Sequence, residues 1–412
     1  MGTVTAGGGI HLTECEDVAW FRDHAEAARG SAAALARRIG FTEQRSAEVV
    51  LAVTEIVTNM RKHAIDGALA LRVLRTPLVA GIEVVVTDHG PGISDIGAAL
   101  RDGSSTAGTL GIGLGAVRRL ADIFDIHSRP GLGTVQMARF WPRPSAEVPA
   151  PGESLVAGIT RPIGGELVCG DAWSARTDSG GREREQQESQ EGRERRNALD
   201  WQTLTGMRRP GSDAGRGAAE QRPAVPARAV GPRRSAPLRS AATGSGEGVL
   251  VMLCDGLGHG PLAAKAGQAA VQAFRTGSAR TPEQAIQEVH RALHGTRGAA
   301  VAIARIEAEG RRLLFCGVGN ITAALVTTDT RSNLLSHPGI VGHQMRQLHT
   351  YEYPLPDHGA LVMHSDGLTE RWTPADLAGL IGHRPVVTAA GLLRHAGTRR
   401  DDASVVVAKG AW

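Results

Sequence analysis

Four cysteines are spread over 412 residues, at Cys15, Cys169, Cys254 and Cys316, and none stands in a C-x-x-C pair. That spacing offers neither a zinc cage nor a disulfide framework and predicts reduced thiols. Aromatics are scarce at 3%, with two tyrosines, so any core must be packed from Ala, Val, Leu and Ile. No apolar run reaches the roughly twenty residues that a bilayer-crossing helix needs, and the N-terminus lacks a basic segment followed by an apolar one. Neither a membrane span nor a secretory leader is expected, and the reading is a cytoplasmic protein. No Walker pattern G-x-x-x-x-G-K-[ST] and no fixed-period repeat occurs. What is present, 42% hydrophobic and 21% charged residues, suffices for real cores and excludes wholesale disorder. The length implies about two or three domains.

The net charge of +4 raises the question of nucleic acid, but many of the arginines sit in one place. From about Arg176 to Gly248 the chain is dominated by Arg, Gly, Pro, Ser, Gln and Glu, without lysine and without helical or strand periodicity. Such a stretch cannot bury enough surface to offset its ordering entropy and predicts a disordered insertion at about 176–247. A nucleic-acid tail is the lesser reading, because Trp201 is its only aromatic residue and stacking platforms are missing. A Pro-rich string, WPRPSAEVPAPGES, predicts a linker over 143–154. Two ordered blocks remain, 8–142 and 155–412, and both read as α+β.

In the first block the string TEIVTNMRKHA places Glu55, Asn59 and Lys62 on one helical face, at offsets of four and seven, with His63 beside them. A carboxylate there can act as a base, and an amide oxygen suits magnesium. Asp88 closes an apolar strand and opens D-H-G-P-G, in which Gly90 and Gly92 let the backbone approach a ligand. GTLGIGLGAVRRLAD then sets Gly111, Gly113 and Gly115 before a helix whose first amides can hold phosphate. Gly111 to Ala116 also fits the dinucleotide pattern G-x-G-x-x-A. It follows a polar loop and no strand, so the Rossmann context fails.

Taken in order, these motifs resemble the GHKL family of ATP-binding folds: an N-box, an Asp-x-Gly-x-Gly box, a Gly-rich box, and PGLGTVQ with Gly131, Gly133 and Thr134 as the last element near the adenine. The resemblance implies an α/β sandwich in which Asp88 binds the adenine amino group, Asn59 holds Mg2+ and Glu55 is the catalytic base, with Lys62 and His63 beside it. The stretch between Gly92 and Gly111 is short and no upstream dimerisation helix bearing a histidine is visible. The block therefore resembles the RsbT/RsbW-type serine kinases of bacterial partner-switching systems.

In the second block, acidic residues stand beside glycines at the ends of apolar runs: CGDAW (Asp171), LCDGLGHG (Asp255, Gly256), HSDGLTERW (Asp366, Gly367) and RDDASVVV (Asp401, Asp402). Short carboxylates at strand ends converge naturally on an oxygen-only site, which suits magnesium or manganese. Any one Asp-Gly pair is an ordinary hairpin turn; four in this order are more informative. The set resembles the metal-dependent serine/threonine phosphatases of the SpoIIE-like branch, which implies a PPM-type α-β-β-α sandwich. On that resemblance Asp171 and Asp255 share two cations with help from the Gly256 carbonyl, and Asp366 and Asp401 complete one shell. Asp402 is an alternative ligand that the sequence does not separate from Asp401. His259 is read as a phosphate-orienting group or a helix start, and Asn320 as a turn residue. Many relatives carry a second aspartate three residues after the first, where this chain has Ser174, and CGDAW instead resembles the RsbX-type phosphatases.

The expectation is a bifunctional regulator using ATP and Mg2+ in one site and Mn2+ or Mg2+ in the other. Its expected substrates are STAS-domain antagonist or stressosome proteins, with an anti-sigma factor or an upstream phosphatase regulator as further partners. The rival reading is a phosphatase whose first domain only binds ATP or a partner as a sensor.

Overall fold

The computed structural model describes residues 12–22, 25–101, 113–143, 154–164, 166–178 and 248–410. The expected linker at 143–154 and insertion at 176–247 fall mostly outside the described residues. So does Gly111.

The first domain runs β1 (Glu14–Phe21), α1 (Ala27–Arg38), α2 (Glu43–His63), β2 (Ala68–Arg75), β3 (Ala80–Thr87), α3 (Ile96–Ala99), α4 (Gly113–Leu120), β4 (Ile123–Arg129) and β5 (Gly133–Phe140). Helix α2 starts where Thr42 caps it, its side-chain oxygen accepting the Arg45 amide at 3.2 Å. It ends in Arg61, Lys62 and His63, cations suited to the negative end of the helix dipole. Val49, Ala52, Val53, Ile56, Val57 and Met60 form its buried stripe. That stripe, with α1, covers one face of an antiparallel sheet in the order β1-β2-β3-β5-β4. β2 and β3 form a hairpin in register from Ala68↔Thr87 to Arg75↔Ala80, which delivers Asp88 at the sheet's end.

The second domain runs β6 (Val156–Arg161), β7 (Asp171–Thr177), β8 (Val249–Gly256), α5 (Pro261–Thr276), α6 (Pro282–Leu293), β9 (Ala299–Glu307), β10 (Arg312–Val318), β11 (Thr322–Val326), β12 (Arg331–Asn333), β13 (Ser336–His337), β14 (Tyr351–Pro354), β15 (Ala360–His364), α7 (Pro385–Ala396) and β16 (Ala403–Lys409). One sheet is built on β13-β10-β9-β8-β7 and the other on β12-β11-β15-β16-β6. Their inner faces share a core that includes Val251, Leu253, Leu361 and Met363. The outer face of the first sheet packs on α5 and α6 through residues such as Met252, Phe274 and Ile286. The outer face of the second packs on α7. This is an α-β-β-α sandwich.

Strand β7 contains Arg176 and Thr177, so the ordered chain continues slightly past the point where the composition changes. Thr177 pairs with Val249, Asp178 N–H donates to the Gly248 carbonyl at 2.9 Å, and Arg305 pairs with the Asp178 carboxylate. The chain therefore leaves and re-enters the sandwich at one point.

Helix α7 belongs to both domains. Ten of its twelve residues are buried, because the second sandwich lies on one side of it and the free face of the first sheet (Ala70, Val85, Val135, Met137) on the other. Polar contacts flank this shared core. Asp17 accepts from the Thr160 amide and hydroxyl at 2.8 and 2.7 Å. Trp20 Nε1 donates to the Thr160 carbonyl at 2.8 Å, and Asp125 accepts from the Arg384 amide at 2.9 Å. Arg72, fully buried, bridges Asp17, Glu83 and the Gly158 carbonyl. The two domains are thus stacked face to face on one helix.

Candidate nucleotide and metal sites

At the end of β3 the Asp88 carboxylate accepts the Gly90 amide at 2.7 Å, an Asx-type turn that fixes the loop. The Asp88 amide donates to Thr134 O at 3.0 Å, and Thr134 N–H returns a bond to Asp88 O at 3.3 Å. Thr134 also shares a hydroxyl contact of 2.9 Å with Ser128. Two glycines are steric necessities. Gly92 (φ 71°) lies against the Arg129 carbonyl and Gly133 (φ 85°) against the Asp88 carbonyl, and a Cβ at either would collide. Burial raises the Asp88 pKa above the ordinary carboxylate value, while the Gly90 amide and the Arg394 charge oppose that rise.

Glu55 and Asn59 lie half-buried on α2 one turn apart, and Lys62 and His63 are exposed at its last turn. His89 N–H donates to Ile65 O at 2.8 Å, tying the segment after α2 to the Asp88 loop. Gly113 and Gly115 open α4, which packs against α2 through Val117. The N-box, the Asp88 loop and the start of α4 thus occupy neighbouring elements.

The second site forms where β7, β8, β15 and β16 end. Asp171 and Asp255 are direct cross-strand partners in β7 and β8. Burial raises both carboxyl pKa values, and each is affected by the other; Asp366 and Asp401 add to the rise at Asp255. Asp366 is itself raised by burial and by Asp401. Carboxylates gathered this closely form a site short of positive charge, as the raised pKa values of Asp171, Asp255 and Asp366 show, and an oxygen-binding cation relieves it. Among the described residues no three His, Cys, Asp or Glu side chains are already closed into a metal cage.

Asp402 is tied to backbone amides of the second domain. Its two oxygens accept the amides of Ile163 and Gly170, each at 2.7 Å, which secures the segment leading into Asp171. Of the pair, Asp401 raises the pKa of Asp255 and Asp366, and Asp402 raises that of Asp171. Asn320 is more than a turn residue, since its amide donates to Asp366 at 2.6 Å. Gly256 ends β8 with its amide on Gly170 O at 3.3 Å. His259 meets Glu166 at 3.3 Å, and Ser174 accepts from Arg275 at 3.1 Å. The sequence reading missed Ser365 and Ser404. Ser365 Oγ donates to Asp171 at 2.6 Å and accepts the Ser404 amide at 3.0 Å, with both serines fully buried. Polar residues flanking Asp366 and following Asp401-Asp402 were the available signal.

The histidine kinase-like ATPase domain family matches residues 22–139, and the Stage II sporulation protein E (SpoIIE) family matches residues 245–410. Among individual proteins, the chain is 35% identical over 117 residues to serine/threonine-protein kinase RsbT of Bacillus subtilis, covering 28% of this chain and 88% of that protein. It is 30% identical over 118 residues to an anti-sigma F factor of Caldanaerobacter subterraneus, covering 27% of this chain and 82% of that protein. It is 26% identical over 121 residues to phosphoserine phosphatase RsbX of B. subtilis, covering 29% of this chain and 61% of that protein.

The class is therefore a GHKL ATP-binding domain joined to a SpoIIE-type phosphatase domain. The chain belongs to the histidine kinase-like ATPase family through its first domain, where RsbT is among its relatives, and its second domain matches the SpoIIE family over residues 245–410. It is a serine/threonine kinase- and phosphatase-type regulator that uses ATP and divalent metal.

Proposed function

We propose that the chain is a partner-switching regulator that adds phosphate to, and removes it from, serine on STAS-domain or stressosome proteins. The observation that carries this reading is the presence of both sites in one stacked molecule: the Asp88 loop tied to the segment after the helix that carries Glu55 and Asn59, and the clustered carboxylates Asp171, Asp255, Asp366 and Asp401. We assign the kinase domain to 8–142, the linker to 143–154 and the phosphatase domain to 155–412, with an insertion between Asp178 and Gly248.

In the kinase site Asp88 receives the adenine amino group, Thr134 backs the Asp88 loop, and Gly90, Gly92, Gly111, Gly113 and Gly115 let backbone follow the nucleotide. Asn59 holds Mg2+. Glu55, one turn away, takes the proton of the substrate serine hydroxyl, with Lys62 and His63 at the rim. Such phosphoryl transfer is mostly positioning and charge neutralisation. In the phosphatase site Asp171, Asp255, Asp366, Asp401 and the Gly256 carbonyl hold Mn2+ or Mg2+, and Asp402 clamps the loop beneath. Divalent cations there supply Lewis acidity toward phosphoryl oxygens and a more acidic water. Ser365 fixes Asp171, and Asn320 fixes Asp366. An added phosphate brings about −1.5 to −2 charge, enough to switch a protein interface. Two opposed sites in one chain also raise the local concentration of each around a docked substrate.

The test follows the phosphoserine of a STAS-domain protein encoded nearby by intact mass, with ATP–Mg2+ first and Mn2+ added later. Phosphate should appear and then leave. Glu55→Ala should block the first step, and Asp366→Asn the second by about a thousandfold or more, the equivalent of several kcal/mol of lost metal-ion catalysis. If phosphate never appears but a pre-phosphorylated substrate is still stripped, the first domain is a nucleotide sensor and the kinase assignment is wrong.

A further inference from the structure

Arg394 is part of the phosphatase domain, in the last turn of α7, yet its Nη1 donates to the backbone carbonyl of Asp88 at 3.1 Å. That carbonyl also accepts Thr134 N–H, so the guanidinium is the second of two donors that set the pitch of the Asp88 loop. Its charge also favours the ionised form of the Asp88 side chain, the form that accepts a hydrogen bond from an amino group. Arg394 is held inside the junction with its Nε buried and unpartnered. A guanidinium in such a place is costly unless its other contacts compensate.

The other end of the connection lies a few residues on. The Ala396 carbonyl accepts Thr369 N–H at 2.9 Å, Thr398 N–H donates to Gly367 O at 2.7 Å, and Arg161 donates to the Thr398 carbonyl. Leu368 and Gly397 form a β-bridge. The segment leaving α7 is therefore laced to Gly367–Thr369, directly after Asp366, and then runs into Asp401. Between these attachments α7 is packed from both sides through Val387, Ala390, Leu392 and Leu393, so it can shift only as a body.

We propose that Arg394 is a positioning residue for the nucleotide site, supplied by the phosphatase domain, and that α7 thereby links nucleotide occupancy to cation occupancy of the carboxylate site. This rests on the reading above that Asp88 receives the base of ATP and that Asp366 and Asp401 hold cation. The link is reciprocal: if cation at Asp366 changes the affinity for ATP by some factor, ATP changes the affinity for cation by the same factor.

The experiment measures the dissociation constant of a fluorescent ATP analogue in excess Mg2+ on the full chain. The variants are Arg394→Met, Arg394→Lys, Asp366→Asn and the double variants, each checked by thermal melting. Arg394→Met should weaken binding by about five- to thirtyfold, within the usual range of such couplings, and Arg394→Lys should restore part of the loss. Asp366→Asn should change the affinity at least about threefold in the wild-type background and leave it unchanged in the Arg394→Met background. Wild-type affinity in Arg394→Met would overturn the positioning role. An Asp366→Asn effect that survives in Arg394→Met would overturn the route through α7. Should Arg394→Met fail to fold, the same comparison in Arg394→Lys decides, because a lysine presents a single ammonium nitrogen and not a planar fork. Absence of analogue binding to the wild type, or undiminished binding by Asp88→Asn, would instead overturn the nucleotide reading itself.

Discussion

The two sites of this molecule are prepared in opposite ways. Around Asp88 the preparation is steric: glycines at positions 92 and 133 allow loops to pass within contact of carbonyls. The Asp88 carboxyl, its pKa raised by burial, is held by the Gly90 amide. Around Asp171 and Asp255 the preparation is electrostatic, with carboxylates set where Asp171, Asp366 and Asp401 disfavour the ionisation of Asp255, and Asp401 that of Asp366. A nucleotide is bound largely by shape and backbone, so its site can be finished before the ligand arrives. A cation site built from carboxylates is finished only by the cation, and until then it stores repulsion. The second site accordingly has side-chain donors aimed at its carboxylates, with Ser365 on Asp171 and Asn320 on Asp366, whereas the Asp88 carboxylate accepts from a backbone amide.

The contrast breaks most severely at the layer both sites share. Leu392 is fully buried in the core between the first sheet and the second sandwich. Leu392→Ala should cost about 2–5 kcal/mol, the usual range for such cavities. Because α7 packs on both domains, urea unfolding followed at Trp20 and at Trp173 should shift together. A transition at Trp20 that keeps its wild-type midpoint would show that the first domain does not depend on α7.

A smaller change should separate the sites. Ser365→Ala removes the donor to Asp171 and leaves the buried Ser404 amide without its acceptor. Loss of such an outer partner typically lowers metal affinity or activity by about 10- to 100-fold. Calorimetric titration with Mn2+ should show that loss, while ATP-analogue affinity at saturating cation stays as in the wild type. Equal weakening of both would mean that Ser365 supports the fold at large.

Much of this was legible in the sequence. The first domain's order of elements follows from its periodicity, since α2 carries a clean stripe and β2–β3 are two apolar runs joined by a short turn. The motif residues stand at strand ends and helix faces for reasons visible in their spacing. Helix α7 was not legible: PVVTAAGLLRHA is apolar on nearly every side, so no stripe marks it, and only the sheet that covers its second face explains that composition. The contacts of Asp402 were equally hidden. Neighbouring aspartates look alike in sequence, and only the amides of Ile163 and Gly170 distinguish them. A tie between distant segments such as Arg394 and Asp88 has no sequence signature at all.

The smallest expected effect lies at the junction and separates it from both sites. His127 on β4 is nearly buried, with its ring edge-on to His383 at 5.0 Å. The groups facing it are His383, Arg394, Arg129 and Asp125. Burial first, then the neighbouring positive charges, lower its pKa to about 4 against an ordinary 6.5. Between those values the unfolded chain takes up a proton that the folded chain refuses. Stability at this position is therefore full above pH 6.5 and is lost as pH falls toward 4. Asp125, held below the ordinary carboxylate value by the His383 hydrogen bond despite burial, loses its contribution in the same direction at still lower pH. After allowance for solvent screening, the His127 share is on the order of 1–2 kcal/mol, or a few degrees of melting temperature. Melting in EDTA between pH 7 and 5 should fall more steeply for the wild type than for His127→Gln, and taking the difference between the two cancels the titration of the carboxylate site. Parallel curves would show that the junction carries no proton-linked strain at His127, leaving the carboxylate site as the main source of pH dependence in the stack.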